Sequence, residues 1–72
     1  MSHMDTIIKT VTEFGGPLGK LVVIRTFKQF GISGEEIPRD KITPVVSTIV
    51  EKAIFNTEKQ QMVKSLLLRT IN

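Results

Sequence analysis

Between Gly15-Gly16 and Gly31 runs LGKLVVIRTFKQF, Leu18 to Phe30, the densest stretch of large apolar side chains in the chain. At about 100° per residue, Leu18, Leu21, Val22, Val23, Ile24, Phe27 and Phe30 point all the way round a helix instead of along one stripe. A helix of that kind is wrapped by other elements. The stretch is therefore expected to be the central strut of a small core, with the stems of Lys20, Arg25 and Lys28 lying over neighbours while their charges reach water. Its β-branched content would also suit a strand. Helix is preferred because no second strand exists to pair with it, and a lone strand leaves its backbone groups unmatched.

The flanking segments read as helices. In Asp5 to Phe14, Ile7, Ile8, Val11 and Phe14 make one stripe, with Asp5 as N-cap and Gly15-Gly16 as the stop. Pro17 suits the first turn of the next helix. After Gly31, Ser33-Gly34-Glu35-Glu36 spells a capping box, and Ile32 and Ile37 occupy the positions of a hydrophobic staple. Pro38 limits that segment to a single turn, a corner near 34–37. Thr43 then caps a helix with Pro44 at its first position. Val45, Val46, Ile49, Val50, Ala53 and Ile54 line its inner face, and Asn56 stops it. Thr57 to Gln60 is a second capping box, opening a helix with Met62, Val63, Leu66, Leu67 and Ile71 inward and Leu68 at the edge. The expected fold is all-α: a bundle of four helices at about 5–14, 18–30, 44–55 and 58–71, plus the corner.

Residues 1–4, Met-Ser-His-Met, have the look of an expression-tag remnant ahead of a start methionine, leaving a single helical domain over 5–72. A chain of 72 residues lies near the lower limit for folding alone, and with no cysteine neither a disulfide nor a thiolate metal site can reinforce it. Exceptionally good packing, a second copy or a partner would then complete the core. No apolar run is long enough to span a membrane, and a cytoplasmic setting is expected.

Chemistry is sparse. The single histidine, His3, falls in the tag-like start, and there is no Cys or Tyr, so no Ser or Thr hydroxyl has an obvious activating base. The carboxylates are scattered without calcium-loop spacing, and neighbours such as Glu35 and Glu36 diverge on a helix. No enzyme, no metal and no cofactor are expected. Gly15-Gly16-Pro17-Leu18-Gly19-Lys20 fails as a phosphate loop, because three residues separate Gly15 from Gly19 and Leu21 follows the lysine.

Two binding functions remain. The broad stripes of the last two helices suggest a protein-interaction or assembly module, regulatory or docking in role and able to form a homodimer. Its interface candidates are Val46, Ile49, Val50, Ala53, Val63, Leu67 and Leu68, with Val23 a further exposed contact. The alternative is a small DNA- or RNA-binding domain using Lys20, Arg25, Lys28, Arg39 and Lys41, favoured by a net charge of +3. Phe27 to Ile37 has a degenerate helix-turn-helix pattern, but Pro38 shortens its second helix, and Glu35 and Glu36 bring the wrong sign to phosphate.

Overall fold

A computed structural model describes residues 2–71. It holds four helices and no strand among those residues: α1 His3–Gly15, α2 Gly19–Gln29, α3 Ile42–Ala53 and α4 Thr57–Ile71, with a 3-10 turn at Arg39–Lys41. The stretch that could have passed for a strand, 20–27, is helical. Each helix packs on the next, α4 returns to α1, and α3 also touches α1, so α3 meets every other helix.

That arrangement changes which helix is central. In α2, Val23 and Phe27 are buried together with Thr26 and Gly19, whereas Leu18 and Leu21 are exposed. The all-round apolar pattern was expected to mean all-round burial; α2 in fact buries one side only. The inner strut is α3, whose Ile42, Val45, Val46, Ile49, Val50 and Ala53 are all buried. Ile7 and Val11 of α1 and Val63 and Leu67 of α4 close around it. Phe14 and Met62, both expected inward, lie at exposed edges of their stripes.

The helix ends differ from the sequence reading in four places, each with a local cause. Ser2, not Asp5, caps α1: its Oγ accepts from the Asp5 amide at 3.0 Å. The corner near 34–37 is a non-helical bend, because its carboxylates serve another helix. Glu36 accepts from the His3 amide at 2.6 Å, the Glu35 side chain from Ser2 Oγ at 2.9 Å, and the Glu35 carbonyl from the Met4 amide at 2.9 Å. Free N–H groups and the positive end of the dipole at the start of α1 draw those acidic side chains in. The Ile37 amide donates to His3 Nδ1 at 3.0 Å, which ties Ser2–Met4 into the fold.

The third difference is the start of α3, which opens at Ile42 with Pro44 as its third residue instead of its first. Proline fits there, since the first-turn amides have no intrahelical acceptor in any case. Fourth, α3 ends at Ala53, and Asn56 acts as the cap of α4 rather than the stop of α3. Its Oδ1 accepts from the Lys59 amide at 3.0 Å and its carbonyl from the Gln60 amide at 2.8 Å. The Gln60 side chain is thereby free to donate to the Ile54 carbonyl, so the expected Thr57–Gln60 box does not form.

The α1–α2 turn depends on glycine for space as much as for conformation. Gly16 takes φ +95° and its amide donates to the Thr12 carbonyl, a helix stop that a side chain would strain. Gly19 lets α2 press on α1: a Cβ there would sit 2.9 Å from Val11 Cγ2 and 3.1 Å from the Thr12 nitrogen. A Cβ on Gly15 would run into the Ala53 carbonyl of α3. The whole chain exposes 4619 Å², against about 4,500 Å² expected of a monomeric protein of this mass. One copy closes its own core.

Candidate functional site

Where the α1–α2 turn meets the end of α3, the surface is both concave and apolar. Ile54 has an extended backbone, φ −124° and ψ 123°, and buries its side chain, while its amide donates to the Val50 carbonyl at 3.0 Å. Successive side chains on extended backbone point to opposite sides. Phe55 is consequently thrown outward and is 90% exposed. Across from it lie Pro17 and Leu18, the latter 69% exposed, held there because Gly15 lets the end of α1 press on the Ala53 carbonyl of α3. With Val22 and Ala53 they line a cavity of about 200 Å³ whose single charged lining residue is Lys52.

The size suits a side chain. An enclosed apolar cavity of about 150 Å³ accepts a molecule the size of benzene, so this groove has room for one aromatic or branched aliphatic group. Burying such a group is worth roughly 1.5–3 kcal/mol before the costs of association.

The charged side chain in its lining and the charged side chains of the adjoining helix α2 are cationic. The Lys52 ammonium donates to the neutral Gln29 carboxamide at 3.2 Å. Leu18, Val22, Arg25 and Gln29 are spaced four, three and four residues apart, so Arg25 shares the side of α2 that borders the groove. Helix α2 contains no acidic residue. Among the described residues the one close approach of a basic to an acidic side chain is His3 Nε2 to Glu36 at 3.9 Å, where His3 Nδ1 also accepts from the Ile37 amide.

A second cleft, about 160 Å³ between α3 and α4, is lined by Ser47, Glu51, Thr57, Gln60, Gln61 and Lys64, with Val50 at its base. Its charges are mixed and Gln60 is engaged with the Ile54 carbonyl. It reads as the polar seam where the two helices diverge.

The residues named from sequence fall in different places. Val46, Ile49, Val50, Ala53, Val63 and Leu67 are at most 7% exposed within one chain, and Leu68 is half-buried against the core. Val23 is fully buried too, so it offers no exposed contact. The stripes are used up by the bundle itself. On the cationic side Lys20, Arg25, Lys28 and Arg39 are exposed, while Lys41 is half-buried and donates to the Phe30 carbonyl at 3.1 Å. Three of them share α2, but the segment after Gly31 holds no second helix at the spacing a helix-turn-helix needs. Phe55 and Pro17 were missed. The available signal was Phe55 itself, a large aromatic beyond the last inward position of its stripe.

No helix among the described residues is long and apolar enough to cross a membrane. Comparison with protein-family models, with curated proteins and with solved structures returned no match.

Proposed function

We propose that this chain is a small helical protein-interaction module, non-catalytic and regulatory or docking in role, whose contact surface is the groove between Leu18 and Phe55. The observation that carries the reading is the 90% exposure of Phe55 beside a concave apolar surface, in a chain that otherwise closes its core. A large aromatic left in water next to a side-chain-sized cavity is the usual anatomy of a binding hot spot. The contact differs from a homodimer built on the 44–55 and 58–71 stripes, because those side chains are committed inside one copy.

Site-specific photocrosslinking in living cells tests this reading. A photoreactive residue at Phe55 should give discrete adducts that disappear when Leu18→Ser is added, and one at exposed Thr43 should not. Adducts equal at both positions, or absent at both, would overturn it. The acid-free surface of α2 with Lys20, Arg25 and Lys28 favours nucleic acid as a second reading. In that case random duplex DNA should shift at low salt and release steeply as salt rises.

A further inference from the structure

We infer that the groove takes an apolar side chain presented by an acidic segment of a different protein, with carboxylates of that segment meeting Lys52 and Arg25. The inference rests on the interaction reading above and adds the chemistry of the partner. Three observations bear on it. The cavity of about 200 Å³ is lined by Pro17, Leu18, Val22, Ala53 and Phe55, which select an aromatic or branched aliphatic anchor. The charges at its border are cationic, Lys52 in the lining and Arg25 on the adjoining face of α2, and neither forms an ion pair among the described residues. The chain as a whole carries +3.

Together these favour an acidic partner over the other occupants. A second copy would bring its own Lys52 and Arg25 against the first pair, and like charges set face to face cost affinity and slow encounter. An anionic bilayer would satisfy the charge, but membrane-binding faces present a broad apolar side flanked by basic residues, not a concavity shaped for one side chain. An acidic segment with an apolar anchor satisfies both features. The anchor supplies the buried area, and the carboxylates supply orientation and rate of association.

The test is selection of random twelve-residue peptides displayed on phage against the folded full chain, followed by binding of the enriched peptides to variants. The expected result is enrichment of sequences combining Phe, Leu or Trp with Asp or Glu. Their affinity should fall at least tenfold on Phe55→Ser or Leu18→Ser, and three- to tenfold on Lys52→Glu, with the helical circular dichroism of each variant retained. These positions are exposed, so the fold does not depend on them. Enriched apolar peptides without acidic residues, still lost on Phe55→Ser, would overturn the acidic partner while leaving the interaction reading intact. Failure to enrich any peptide that senses Phe55 would remove both. Binding to vesicles of phosphatidylserine and phosphatidylcholine that is abolished by Phe55→Ser would overturn the peptide in favour of a lipid surface.

Discussion

Single atoms decide several features of this chain, and Thr26 is the plainest case. Thr10, Thr48 and Thr70 each turn the hydroxyl back onto the carbonyl four residues earlier, at 2.9, 2.8 and 2.7 Å. Thr26 is 1% exposed and its Oγ1 has no partner. A buried hydroxyl left unmatched costs about 1–3 kcal/mol. Thr26→Val should therefore stabilise the fold by about 1 kcal/mol, read as a rise of roughly 4–8 °C in melting temperature. An unchanged or lower melting temperature would mean that the hydroxyl is satisfied in solution. Gly19 gives the opposite expectation. Alanine normally improves a helix by about 1 kcal/mol over glycine, yet Gly19→Ala should destabilise by about 1–3 kcal/mol, because its Cβ meets Val11 and the backbone of Thr12. Gly34→Ala, with open space around it, is the control and should be close to neutral in the same denaturant titration.

At the level of elements, the helix ends show what periodicity carries and what it does not. The stripes of α3 and α4 located those helices, since Val45, Val46, Ile49, Val50, Val63 and Leu67 recur at helical spacing and are all buried. Caps were harder to assign, because a capping side chain is chosen by competition among nearby groups and not by spacing alone. Asn56 and Thr57 are both good caps, and Asn56 holds the position with Oδ1 on the Lys59 amide. Asn56→Ala should accordingly cost about 1 kcal/mol, whereas Thr57→Ala should cost less. Equal losses in thermal denaturation would return the cap to Thr57. Ser33 and Glu36 matched a capping box in sequence, but the start of α1, some thirty residues away, claimed the carboxylate. No local pattern contains that information. The groove was hidden for a related reason: Leu18 belongs to an apolar run and Phe55 follows one, and only the packing of Gly15 against Ala53 brings them face to face.

For the molecule as a whole, closure of the core by one copy separates folding from binding. The chain measures 29 × 22 × 21 Å and exposes about what a free-standing domain of its mass should. Substitutions in the α3 core, such as Ile49→Asp, would unfold the domain instead of reporting on an interface, which is why Leu18, Lys52 and Phe55 are the positions for functional tests. The bonds from Glu35 and Glu36 to the start of α1 also have a consequence in time. They join positions more than thirty residues apart through exposed side chains, while the helices around them form from neighbours in sequence. Loop closure of that length is entropically costly and repaid by few contacts. This clasp should be the last part to assemble and the first to open. In native-state hydrogen exchange, the amides of His3, Met4 and Ile37 should open together well before those of Val46 and Ile49. Glu36→Gln should quicken the first group and leave the second unchanged. Uniform protection across both groups would instead make the clasp part of the global unfolding unit.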